Sequence, residues 1–83
     1  MKLVLIDWRD TYEMDAGWHS VESAKAWRTC ICRSVGFLLE ETEQEVIICG
    51  DAGIDNKEFD EVGRVQAIPK GCIVNMSTLR ELG

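Results

Sequence analysis

Four short apolar runs follow one another between Ser34 and Leu79, each closed by a different turn signal, and they constrain the fold of this 83-residue chain more than any other feature. Val35-Gly36-Phe37-Leu38-Leu39 ends in Glu40-Glu41, and Val46-Ile47-Ile48-Cys49 begins just after Thr42-Glu43-Gln44. A short polar connection between β-branched and aromatic runs predicts an antiparallel hairpin. Residues 51–61 then break the pattern with Asp51, Asp55, Glu58, Asp60 and Glu61, and read as a solvated acidic loop. From Val62 to Ile68 the side chains alternate, with Val62, Arg64, Gln66 and Ile68 on one face and Gly63, Val65 and Ala67 on the other, which predicts a further strand. Pro69-Lys70-Gly71 joins a fixed φ to a residue that tolerates φ > 0, so the chain turns sharply there. Cys72-Ile73-Val74-Asn75-Met76 is the last strand, and the whole stretch reads as a β-meander.

Ahead of it, Leu3-Val4-Leu5-Ile6 with Trp8 predicts a first strand, which must pair with the meander rather than leave an apolar edge open. Thr11 to Gly17 is polar and lacks a period. Ser20 is placed as an N-cap, with Glu22 in the first turn where a carboxylate suits the helix dipole. Val21, Ala24 and Trp27 recur at helical spacing, so a helix is expected from Val21 to Thr29 or Cys30, with those three packed on the sheet. Together these elements predict a mainly β (α+β) fold, a small five-stranded barrel with one helix, in a single domain over residues 1–83.

A chain of this length buries only about 60–65% of its extended surface, so its margin of stability is narrow and oligomerisation would help it. The formal net charge of -6 and pI near 4.6 argue against sequence-independent binding to nucleic acid or an anionic membrane, since both call for a basic face. No apolar run approaches the length of a membrane span, and Lys2 to Ile6 is too short for a signal-peptide core before it meets Asp7, which places the protein in the cytoplasm. Cys30, Cys49 and Cys72 sit within apolar runs, as reduced thiols filling a core. Cys30-x-Cys32 lacks the spacing of a zinc knuckle, so no metal and no cofactor is expected.

No nucleophile elbow, phosphate loop or Cys–His dyad is present, and Gly50, Gly53, Gly63 and Gly71 read as isolated turn residues. His19, the one histidine, has no partner or cleft that the sequence locates, and reads as a cap or surface group. Of the three tryptophans, Trp27 falls on the inner row of the helix, while Trp18 lies between Gly17 and His19 and is the ring placed to meet a ligand or partner. Arg9, Arg64 and Lys70 stand nearest to strand ends or turns, where a cation can hold a phosphate or simply be solvated. Trp18, His19, Arg64 and Lys70 are therefore the candidate binding residues, and none is assigned a catalytic role.

The order of helix, hairpin, acidic loop, strand, tight turn and last strand from Val21 to Leu79 resembles the Sm-like and SH3-like small barrels. Gly36 falls where the first Sm signature carries its strand glycine, and Ile68-Pro69-Lys70-Gly71-Cys72-Ile73 stands in place of the Ile-Arg-Gly-Asn-like turn, with Cys72 where asparagine would be. The residues that hold RNA bases in that family are thus mostly missing. A second likeness covers nearly the whole chain: Trp8 and Asp10, Gly17-Trp18, Cys32-Arg33-Ser34-Val35-Gly36-Phe37-Leu38 and Ile68-Pro69-Lys70 are similar to a group of short bacteriophage proteins. That resemblance implies a homo-oligomeric, non-catalytic accessory protein in the host bacterial cytoplasm. Such a protein would inhibit a host defence factor or sequester a signalling nucleotide, with an Sm-like RNA-binding ring as the alternative. The acidic segment 51–61 would then be either a plain surface loop or a mimic of nucleic-acid charge.

Overall fold

The computed structural model describes residues 1–55 and 60–82. Its elements are β1 (Lys2–Asp10), α1 (Val21–Lys25), β2 (Cys30–Glu41), β3 (Glu45–Gly53), β4 (Glu61–Pro69), a 3-10 turn (Lys70–Cys72) and β5 (Ile73–Glu81). The strands form one antiparallel sheet in the order β4-β3-β2-β1-β5. The mainly β fold with one short helix matches the sequence expectation, and the first strand does join the meander, between β2 and β5.

The sheet is curled. Five flat strands would set their two edges about 19 Å apart. Ile68 near the end of β4 and Ile73 at the start of β5 are linked only by Pro69 and the 3-10 turn, a path of at most about 15 Å. The edges are therefore drawn toward each other, and one face closes on a core of Val4, Ile6, Val46, Ile48 and Ile68, against which Trp8, Leu38, Ile73 and Met76 pack. Period-2 alternation supplies this core: Val4 and Ile6 on β1, Val46 and Ile48 on β3. Among the described residues no ladder joins β4 to β5, so the barrel is half-open.

β2 is the strand on which the two halves turn. Cys30 to Phe37 pairs with β1, and Phe37 to Glu41 pairs with β3. The backbones cross closely at Gly36, where a β-carbon would meet the carbonyl oxygen of Cys49 at 2.6 Å. Only glycine admits that approach.

The structure corrects five expectations. The helix spans five residues rather than nine or ten, and buries none of its side chains; Val21 is 68% exposed. β2 begins at Cys30, five residues ahead of the Val35–Leu39 run from which the strand is read, because Cys-Ile-Cys-Arg alternates and finds β1 as a partner. The acidic segment is not all loop: Asp51, Ala52 and Gly53 pair with Gly63, Val62 and Glu61, prolonging the β3–β4 hairpin into an arm, while Glu58 lies outside the described residues. Gly50, Gly53 and Gly63 accordingly sit within strands, and only Gly71 lies in a turn. Of the three cysteines expected in the core only Cys49 is buried; Cys30 and Cys72 are partly exposed, as is Cys32.

Candidate binding site

The longest irregular stretch, from Thr11 to Ser20 with α1 and the residues up to Thr29, connects β1 to β2 and carries two of the four candidate residues. Its conformation is held by local hydrogen bonds. The Asp15 carboxylate accepts from the Gly17 N–H at 2.9 Å, and His19 Nε2 lies 3.1 Å from the Asp15 carbonyl oxygen and 3.3 Å from its carboxylate. Ser20 caps α1 as its sequence position demands, its Oγ accepting from the Ser23 N–H at 3.1 Å. Trp18 stands between these fixed points with its side chain wholly exposed.

Trp27 lies beyond the helix rather than on its inner row. Its ring stacks on Tyr12, with centroids 5.0 Å apart, and its Nε1–H donates to the Tyr12 carbonyl. That pair clamps the two ends of the connection together, and Arg28 Nη1 donates to the Lys25 and Trp27 carbonyls beside it. A shallow cavity of about 260 Å³ is lined by Tyr12 and residues 26–30. A second, of about 350 Å³, lies between Arg9, Asp10, Thr11, Thr29 and the 3-10 turn. Arg9 is tied across it, donating to Thr29 Oγ1 at 3.0 Å. Trp8 faces the other way, packs on the core and donates to Ser34 Oγ at 3.0 Å.

Arg64 and Lys70 lie elsewhere, and both are engaged. Lys70 Nζ is 2.9 Å from Glu41 Oε2, and its backbone N–H donates to Gln44 at 2.8 Å, so Lys70 fastens the 3-10 turn to the β2–β3 turn. Arg64 adopts φ 50°, folds its guanidinium over Gly50, and binds the Asp51 carboxylate at 2.6 and 3.2 Å. These cations hold Glu41 and Asp51 below the ordinary carboxylate pKa, as Arg33 does for Asp7. No hydrogen bond or ion pair among the described residues joins Trp18 or His19 to Arg64 or Lys70. The four candidates are thus two fixed loop residues and two ion-paired framework cations.

Comparison with protein-family models, curated proteins and solved structures finds no match.

Sequence reasoning missed Tyr12, which fixes the connection through Trp27; a residue fifteen positions away carries no periodic signal of such a contact. It also missed the approach of Cys30 and Cys32, whose Sγ atoms are 3.8 Å apart. The hydrogen bond shared with Cys30, burial and the charges of Cys30 and Asp10 push the Cys32 thiol pKa up. Among the described residues no helix is long and apolar enough to cross a membrane.

Proposed function

We propose that this chain is a non-catalytic binding protein, a bacteriophage accessory factor of the host cytoplasm, and that it inhibits a host protein by seating Trp18 in a pocket of that partner. The observation that carries this reading is the contrast between a fully exposed indole and the hydrogen-bonded connection that presents it. An exposed tryptophan held in place gives up little conformational freedom on binding and contributes a large apolar area, the character of an interface hot spot. The Tyr12–Trp27 stack and the cavity beside it extend the same surface.

The ion pairs favour a protein over a nucleotide as the ligand. Sequestering a signalling nucleotide calls for cations free to meet phosphate, and Lys70 and Arg64 are already neutralised by Glu41 and Asp51. The same pairing, with the net charge of -6, weighs against an RNA-binding ring.

The protein also self-associates in this reading. Its exposed surface of 6421 Å² exceeds the roughly 5,000 Å² expected of a compact monomer of its mass. Its radius of gyration is 16.8 Å against about 12 Å for a compact domain of this length.

The test is affinity capture from host lysate on the immobilised protein, followed by titration of the purified partner. Trp18→Ala should weaken binding by about 2 kcal/mol, roughly thirty-fold in Kd. A saturable partner that binds Trp18→Ala and wild type alike would refute the site.

A further inference from the structure

β1 has an apolar face that the core does not use. A strand with one solvated face alternates apolar and polar residues, whereas a strand covered on both faces reads as a continuous apolar run, and β1 carries Leu3-Val4-Leu5-Ile6 without a break. Val4 and Ile6 enter the core. Leu3 and Leu5 point to the opposite side, where the ladder sets them beside Phe37 and Val35 of β2. Ile31 shares that side of β2, and among the described residues no element closes over it or Val35, each about half exposed.

The charge on this outer face is mostly of one sign. Arg9 stands beside Ile31, Arg33 beside Asp7, and Arg80 of β5 beside Leu3, so the pairing of β2, β1 and β5 gathers three guanidiniums around the single carboxylate of Asp7. Arg33 takes that carboxylate with two hydrogen bonds, at 2.7 and 3.0 Å. Arg9 donates to Thr29, and among the described residues neither Arg9 nor Arg80 has a carboxylate partner. In a chain of net charge -6 this face is the exception, and the occupant that suits it is both apolar and acidic. Two outer faces do not suit each other, since their meeting sets arginine against arginine.

The arm of the β3–β4 hairpin has the required character. Residues 51–64 hold five carboxylates against Lys57 and Arg64. Arg64 is taken by Asp51, while Asp55, Asp60 and Glu61 are exposed and have no cationic partner among the described residues. Ile54 and Val62 on the same arm are exposed as well, so the arm does not cover the face of its own chain. A second copy brings arm and face together, and exchange of arms within a closed dimer leaves neither open.

We propose that two copies of this chain exchange arms, the acidic arm of each docking on the arginine-bearing outer face of the other and covering Leu5 and Val35. The proposal rests on the self-association inferred above, names the contact behind it, and makes no use of Trp18.

Sedimentation velocity of the untagged full chain tests it by reciprocal charge reversal. Arg9→Glu/Arg80→Glu makes the face acidic and Asp55→Lys/Glu61→Lys makes the arm basic, and each variant alone should dimerise about tenfold or more weakly than wild type. Mixed in equal amounts, the two should recover the wild-type affinity to within about threefold, because each arm then meets a face of opposite charge on the other variant. Trp18→Ala should dimerise as wild type does. Should a reversed variant fail to fold, Val35→Ser on the face and Ile54→Ser on the arm decide in its place: both should weaken the dimer, and a dimer unchanged by both refutes the contact. A mixture that stays as dissociated as its components overturns the proposal. A wild-type dimer indifferent to both reversals strikes this contact alone. A wild-type chain that is monomeric at every concentration overturns the contact together with the self-association, and leaves the face to an acidic partner protein.

Discussion

Gly36→Ala tests the crossing on which the barrel is built. The added β-carbon would stand 2.6 Å from the Cys49 carbonyl oxygen, 3.3 Å from the Cys49 carbonyl carbon and 3.3 Å from Ile48 Cβ. An ordinary carbon–oxygen contact is about 3.3 Å, so β3 must retreat by roughly 0.7 Å. The obstructing atoms are backbone, and no rotamer change relieves them. The strand that has to move also carries Val46, Ile48 and Cys49, three of the six buried hydrophobic residues among those described, so the displacement loosens the core it borders. Overpacking of this kind costs about 1–3 kcal/mol, and a backbone obstruction belongs to the upper half of that range. For a domain of this size about 2.5 kcal/mol lowers Tm by roughly 10–20 °C. Urea denaturation should show a lower midpoint at unchanged m. Gly71→Ala is the control: nothing lies within 4 Å of its added carbon and its φ is not positive, so its midpoint should be equal or slightly higher. A Gly36→Ala midpoint indistinguishable from wild type would refute the account of the crossing.

Arg64 holds a left-handed conformation that costs a side-chain-bearing residue about 1 kcal/mol, so Arg64→Gly should be more stable than Arg64→Ala by about that amount in the same denaturation series. Asp7, Asp51 and Glu41 have folded pKa values held down by Arg33, Arg64 and Lys70. Their contribution is complete above the unfolded value near pH 4 and is lost as pH falls through the folded value, so Tm should drop below about pH 4 and Asp7→Asn should flatten that drop. Trp8→Phe removes the Nε1–H donor to Ser34 while keeping most of the ring in the core, and should cost about 1 kcal/mol by thermal unfolding. Val21→Ala, on an exposed helix position, should change stability by less than about 0.5 kcal/mol, where a residue packed on the sheet would cost several times more.

What the sequence made legible, and what it did not, follows from the range of the interactions involved. Strands could be read wherever a run of β-branched residues met a turn signal, because both cues lie within a few residues of each other; Val46–Cys49 and Pro69–Gly71 are such places. The helix was overestimated for the same reason. Val21, Ala24 and Trp27 share a helical period, but Trp27 is claimed by Tyr12 across the connection, and Cys30 and its neighbours by β1. A long-range partner overrides a weak local preference, and five helical residues are too few to resist it. The candidate site divides along the same line. Trp18 and His19 are positioned by Asp15 and Ser20 within a few residues, and their neighbourhood could be guessed. Lys70 and Arg64 looked free because Glu41 and Asp51 lie 29 and 13 residues away, and only the hairpin register brings each carboxylate to its cation. Charge that a sequence counts as available is therefore spent on the framework in this fold. In the reading proposed above, recognition falls to a group that no register can neutralise, the exposed indole of Trp18 on its pinned connection.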